Sequence, residues 1–228
     1  MKAMILAAGR GERMRPLTDH TPKALLRVDG KPLISFIVNS LRRAGMEELV
    51  INLAHQGEQI AVALGDGAAL GMRIAYSRET TALETAGGIA QALPLLGAAP
   101  FIAVNADVYS DYDFSGLRAT AQRLQENGAL AHLVLVANPP HHPGGDFGLA
   151  AGRVTIDSSP RYTFSGIGAY HPALFAGIAP GAKARLADLL YAGIPRGQVT
   201  GELYRGRWQD VGTPERLAEL DRALRAGS

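Results

Sequence analysis

The sequence predicts an α/β protein built on a mixed, mainly parallel sheet. Short apolar runs alternate with stretches of helical period over the first 130 residues, the pattern of repeated strand–helix–strand units. The first run, Met4-Ile5-Leu6-Ala7-Ala8, ends in Gly9-Arg10-Gly11, as a buried strand does when it opens into a loop at its carboxyl end. Hydrophobic residues make up 47% of the 228 positions, enough for the core of one large domain.

Each element has its own signal. Residues 4–8 form the first strand. Residues 32–44 read as a helix, with Pro32 at its start, Leu33, Phe36, Ile37 and Leu41 on one face, and Gly45 as the stop. A strand at 49–53, a helix at 56–64 ended by Gly65, a strand at 73–77 and a helix at 88–96 follow. Residues 101–105 are a buried strand, and 114–127 an amphipathic helix before Gly128. From Leu133 the pattern changes to strands at 133–137, 148–150, 154–156 and 167–170 with short turns between them, an antiparallel segment across the end of the sheet. Helices at 183–192 and 214–224 complete the chain, the last capped by Thr213 with Pro214 at its first position. No linker divides the chain, so one domain spanning 1–228 is expected.

The formal net charge is only +2, with basic residues scattered, so no nucleic-acid partner is expected. There is no cysteine, hence no disulfide framework and no thiolate metal site. The amino-terminal apolar run is about eight residues, too short for a signal or a span. A soluble, cytoplasmic protein without a membrane partner is the expectation.

Chemistry concentrates between Met1 and Lys23. Small residues and glycines after a buried strand leave backbone N–H groups bare, and these can approach phosphate oxygens closely. Arg13 and Lys23 add positive charge at the same place, which suits a triphosphate. The stretch is not a dinucleotide fingerprint, because Met14 stands where the third glycine belongs, and it lacks the Gly-Lys-Ser/Thr ending of a P-loop. Asp107 directly follows the strand 101–105, at the edge where open parallel sheets bind ligands, and reads as a Mg²⁺ ligand or as a turn aspartate. Asp111 and Asp113 precede a helix and read as helix-start residues. The histidines form no metal set; His141 and His142 lie in the most loop-like stretch, and Gly144-Gly145 beside them marks a candidate mobile segment.

Leu6-Ala7-Ala8-Gly9-Arg10-Gly11-Glu12-Arg13-Met14, with Pro16-Leu17-Thr18 and Pro22-Lys23, resembles the signature of the sugar-1-phosphate nucleotidylyltransferases. The resemblance spans essentially the whole chain. It implies a Rossmann-like three-layer sandwich of the nucleotide-diphospho-sugar transferase type without a carboxyl-terminal β-helix, with residues 1–130 mainly binding nucleotide and 131–228 mainly binding sugar. Asn105-Ala106-Asp107 resembles the family's metal-binding stretch, with Ala106 where glycine is usual. Trp208-Gln209-Asp210-Val211-Gly212-Thr213 resembles its Trp-x-Asp-x-Gly-Thr motif, which implies Asp210 as a second Mg²⁺ ligand.

By the same resemblance, Ala8, Gly9, Gly11, Arg13 and Lys23 face the nucleotide, with Arg13 and Lys23 catalytic. The Leu83-to-Gly88 loop, with Glu84, Gly87 and Gly88, lies against base and ribose. Asn105, Gly166 and Glu202 border the sugar phosphate. Asn52, at the end of its strand, reads as bordering the sugar or phosphate pocket or as a strand-end cap. Within the family the chain looks most like the N-acetylmuramate-1-phosphate uridylyltransferases, which implies UTP as donor. The lactyl acid of that sugar would favour a nearby cation, Arg161 or Arg205. Mannose-1-phosphate guanylyltransferase and glucose-1-phosphate thymidylyltransferase are the alternatives, and a sugar-nucleotide-binding regulatory subunit is the non-enzyme alternative.

Overall fold

The computed structural model describes residues 1–124, 126 and 128–227. Its strands and helices are β1 (Lys2–Leu6), the short hairpin β2 (Arg27–Val28) and β3 (Lys31–Pro32), α1 (Leu33–Arg43), β4 (Glu48–Leu53), α2 (Gly57–Leu64), β5 (Arg73–Arg78), α3 (Glu84–Leu96), β6 (Phe101–Asn105), β7 (Val108–Ser110) and α4 (Phe114–Arg123). The second half adds β8 (Ala131–Val136), β9 (Phe147–Ala150), β10 (Arg153–Thr155), β11 (Arg161–Tyr170), α5 (Leu186–Gly193), β12 (Val199–Tyr204), β13 (Trp208–Asp210) and α6 (Pro214–Arg225).

Nine strands form the main sheet in the order β5-β4-β1-β6-β11-β8-β12-β10-β9. The β5-β4-β1-β6 half is parallel. In the other half only β12 and β8 are parallel, and β11 runs antiparallel to β6, β8 and β9. Because β9 pairs with both β10 and the start of β11, the pairing β11-β8-β12-β10-β9 closes on itself.

Both faces of the sheet are covered, which is why its strands read as continuous apolar runs. Alternate residues of β1 serve the two faces. Ala3 and Ile5 pack with Ile34, Ile37 and Leu41 of α1, Ile60 of α2 and Phe114 and Leu117 of α4; Met4 packs with Ile89 of α3 and Leu186 and Leu190 of α5. A third, smaller cluster joins Met14, Val28 and Leu33 to Val211, Leu217 and Leu220, so α6 is fastened to the loop that leaves β1.

Several boundaries differ from the sequence-based expectation, for tertiary reasons. α3 begins at Glu84 rather than 88, because its first N–H groups find a remote acceptor: Ala86 and Gly87 both donate to the Ala184 carbonyl. β11 begins at Arg161 rather than 167, since a bulge between Phe164 and Ile167, with Gly166 at φ 78°, interrupts the pattern inside one strand. α5 begins at Leu186 rather than 183, as Ala184 is engaged with Leu83 and the start of α3. α4 ends at Arg123, and the end expected at Asn127 lies outside the described residues. β2, β3, β7 and β12 have no counterpart in the expected elements. The candidate mobile stretch is tied down: Asn138 donates to the carbonyls of Pro143 and Arg161 and accepts from Thr163, and Asp146 accepts from Phe164 N.

Two side chains make this packing testable. Phe175 is fully buried with its ring 6.1 Å from Phe101 and 5.9 Å from Tyr170. Phe175→Ala should cost about 3–5 kcal/mol in urea unfolding. His132, 8% exposed, meets Thr200 Oγ1 through Nδ1, and burial holds its pKa below the ordinary 6.5. The unfolded chain therefore takes up the proton first, so stability is complete above the ordinary value and falls as the pH drops below it. A His132→Gln variant should show a flatter loss of urea midpoint between neutral and mildly acidic pH than the parent.

Candidate active site

A cleft of about 670 Å³ opens at the carboxyl ends of the parallel strands. Its floor is set by register. Leu6, the last residue of β1, lies level with Asn52 of β4 on one side and Asn105 of β6 on the other, and Ala106 N donates to the Leu6 carbonyl. Residues 7–14, Lys23, Asn52, Glu79, residues 82–85 and residues 105–107 line it.

The turn after β1 has little regular structure, so side chains and one glycine hold its shape. Gly11 adopts φ 65°, and a Cβ there would come within 3.0 Å of Thr18 and 3.4 Å of Lys23. A larger residue would be strained and would push on Lys23. The buried Thr18 hydroxyl donates to the Gly11 carbonyl at 2.8 Å, and Met14 is anchored in the third core cluster. Arg13 is exposed at the cleft, and Ala8 and Gly9 lie beside it. Lys23 starts a short 3₁₀ turn and reaches Asp107 Oδ2 at 2.5 Å, its side chain 13% exposed.

Asp107 and Asp210 are brought together by backbone pairing. β7 and β13 form a two-stranded ladder in which Asp210 faces Val108, the neighbour of Asp107, and Val211 N donates to the Asp107 carbonyl at 2.8 Å. Asp210 Oδ2 accepts from Arg216 at 2.5 Å. Its Oδ1 is buried and has no hydrogen-bond partner, although His141 Nε2 lies 3.0 Å away. That imidazole nitrogen is also 2.7 Å from Arg216 Nη1, and a single ring nitrogen cannot accept from the guanidinium and donate to the carboxylate at once. A buried carboxylate oxygen left without a donor is the kind of atom a hard divalent cation satisfies, and two carboxylates with phosphate oxygens suit Mg²⁺. The residues present therefore fit such an ion.

The remaining predicted residues fall at varied distances from the cleft. Glu84 lines it and adopts φ 61° at the start of α3, with Lys183 3.5 Å from its carboxylate. Gly87 and Gly88 are buried and absent from the lining; a Cβ on Gly87 would strike the Ala182 carbonyl, and one on Gly88 would meet Glu79 and Asn52. Asn105 lines the cleft, and Gly166 packs against it, a Cβ there meeting Asn105 Nδ2 at 2.6 Å. Glu202 is outside the lining, where it accepts from the Tyr112 hydroxyl; burial first, then this bond, holds that phenol above its ordinary pKa. Arg161 is committed to the Ile156 and Asp146 carbonyls, whereas Arg205 is exposed.

Sequence reading missed Glu79, Thr18, His141 and Arg216. Glu79 and His141 meet partners far along the chain, Asn52 and Arg216, and belong to no local motif. Thr18 and Arg216 have nearby partners and carried a signal: Thr18 stands in the quoted signature and bonds Gly11, and Arg216 stands in the first turn of the capped helix that follows Asp210.

Known proteins resemble this chain along nearly its whole length. The chain is 55% identical over 223 residues to the N-acetylmuramate alpha-1-phosphate uridylyltransferase of Neisseria meningitidis serogroup B, covering 96% of each chain. It is 33% identical over 230 residues to the protein of the same name from Caulobacter vibrioides, covering 93% of this chain and 92% of that one. A Bacillus anthracis crystal structure containing sucrose superposes with a TM-score of 0.85 at 21% identity, over 99% of this chain and 95% of that one. The pattern of the Nucleotidyl transferase family matches residues 2–227, and the chain belongs to that family.

Proposed function

We propose that this enzyme transfers a uridylyl group from UTP to N-acetylmuramic acid 1-phosphate, giving UDP-N-acetylmuramic acid and pyrophosphate, in the cytoplasm as part of peptidoglycan recycling. The reading is supported by the full-length likeness to two proteins of that name. The single observation that carries the chemistry is the Lys23–Asp107 pair at the mouth of the glycine turn. Residues 1–130 would mainly hold the nucleotide and residues 131–228 the sugar.

In such a reaction a sugar-phosphate oxygen attacks the α-phosphorus and pyrophosphate leaves in line. The attacking group is already an anion, so no general base is needed, and the protein's task is positioning and charge neutralisation. Two phosphates at about 4 Å repel by roughly 4 kcal/mol per pair of unit charges at a protein-like dielectric. In this reading Lys23 would offset that repulsion between the α-phosphate and the incoming phosphate, and Arg13 would hold the β- and γ-phosphates. Asp107 and Asp210 would hold one Mg²⁺, which would supply positive charge to offset that of the phosphates. Asn105, with Gly166 against it, would border the sugar. Of the two arginines considered for the lactyl carboxylate, Arg161 is committed to backbone carbonyls, so Arg205, which is exposed, would be the one to meet it.

Pyrophosphate release from UTP, GTP and dTTP, each paired with N-acetylmuramate, mannose and glucose 1-phosphates, tests base and sugar together. UTP with N-acetylmuramate 1-phosphate should be the most efficient pair. A preference for GTP with mannose 1-phosphate, or for dTTP with glucose 1-phosphate, would overturn the assignment. Lys23→Ala and Asp107→Ala should each lower kcat at least about a hundredfold, the scale of one preorganised electrostatic group. Near-normal turnover in either would remove the role given to that residue.

A further inference from the structure

We infer that Asn52 and Glu79 are positioning residues: together they form a buried strut that sets the phosphate-cradling turn against the 82–85 stretch of the cleft wall. The two loops leave β1 and β5, and β4 lies between those strands. From β4, Asn52 reaches both. Its Oδ1 accepts from Ala7 N at 2.8 Å, and its Nδ2 donates to Glu79 Oε1 at 2.7 Å. Glu79 Oε2 in turn accepts from Leu83 N at 3.1 Å. Ala7 and Leu83 both line the cleft. One chain of hydrogen bonds thus runs from the first backbone N–H of the glycine turn to the residue before Glu84.

The strut is built rather than incidental. Asn52 is 3% and Glu79 9% exposed, and Glu79 is also fixed by its own N–H, which donates to the Leu53 carbonyl at 2.7 Å. A Cβ on Gly88 would stand 2.5 Å from Glu79 Oε1 and 2.9 Å from Asn52 Nδ2. The missing side chain of Gly88 is the space the strut occupies. Within these bonds every donor meets an acceptor, and both Glu79 oxygens face N–H groups. The direction of the middle bond is therefore set by having an amide at position 52 and a carboxylate at position 79.

That direction can be reversed with little change of shape and, in the double variant, none of charge, which supplies the test. In Asn52→Asp, two carboxylates face each other; in Glu79→Gln, an amide NH₂ faces the Asn52 NH₂ or Leu83 N–H. When both substitutions are combined, the new amide at position 79 can donate to the new carboxylate at position 52 and still accept from Leu83. That carboxylate can still accept from Ala7. The inference rests on reading the cleft as the nucleotide site. UTP affinity is to be measured by calorimetry, and KM and kcat by pyrophosphate release, at a temperature where circular dichroism shows every variant folded.

Each single variant should weaken UTP binding at least about tenfold, the scale of one broken buried hydrogen bond, with the KM for the sugar phosphate little changed. The double variant should return to within about threefold of the parent, because the two changes are coupled. Gly88→Ala, which crowds the strut and leaves both partners in place, should weaken UTP binding in the same direction. Single variants that lose thermal stability but keep parental UTP affinity would overturn the inference and reduce the pair to a core contact. So would a double variant as impaired as the worse single one, the outcome expected if Glu79 itself recognised the nucleotide. If the rescue pattern appears with UTP, but no product forms from UTP and N-acetylmuramate 1-phosphate, the strut stands and the substrate assignment falls.

Discussion

The short ladder between β7 and β13 is the interaction on which the site depends. It brings Asp210 from near the end of the chain alongside Val108 and joins Val211 to the Asp107 carbonyl. Without it the two acids would be unrelated turn residues. The ladder is only three residues long on each strand, too short to persist alone. It is held from beneath by the third core cluster, where Val211, Leu217 and Leu220 pack with Met14 and Val28. That same cluster seats the turn after β1. Apolar burial, which has no preferred direction, thereby fixes polar groups in place: Val211, next to Asp210, and Met14, in the turn after β1, share this cluster, while Ala106 and Val108 on either side of Asp107 are buried in the cluster of Ile34 and Phe114.

Charge is concentrated at the cleft, which Lys23 and Asp107 line, and beside it at Asp210, which lies outside the lining. Lys23 and Asp107 pair at 2.5 Å, and Arg216 neutralises one oxygen of Asp210 while the other lies buried and unbonded. These partners hold the two side chains in place. The polar groups deeper in the site are satisfied by hydrogen bonds, as at Asn52 and Glu79. Such groups stabilise the structure only when every donor and acceptor is matched, and a single mismatch is costly. The loop carrying His141 belongs to the same system: Asn138 and Asp146 tie it down beside Asp210, so a segment that looks mobile from composition is part of the cleft's surroundings.

Much of the parallel half was legible. β6 falls at the expected residues, and α1, β4, α2 and β5 within one, because each is a buried run or amphipathic stretch bounded by a glycine, proline or turn. The antiparallel half was legible only in outline. β11 hides a bulge at Gly166 that breaks its alternation, and β12 is interrupted by Gly201 and carries polar Glu202 on a partly covered face. The start of α3 was misjudged because its cap is the Ala184 carbonyl, about a hundred residues away, and no local rule contains that partner. In the site, the glycine turn, Arg13, Lys23 and Asp107 carried a signal in residue type and position, whereas Asp210 stood out only through its resemblance to a family motif. Glu79 carried no local signal, since its role is defined by Asn52 and Leu83.

By itself, then, the amino-acid order determined which strands are buried on both faces, where the glycine turn follows the first of them, and which charged residues accompany that turn. These follow from side-chain chemistry and local conformational preference, which act over a few residues. Tertiary structure alone decided that Asp210 lies on the strand beside Val108, the neighbour of Asp107, that Gly87 and Gly88 are packed behind the cleft wall, and that Asn52 spans two loops. Those outcomes depend on contacts between segments far apart in the chain, and such contacts exist only once the sheet has assembled and its helices have closed over both faces.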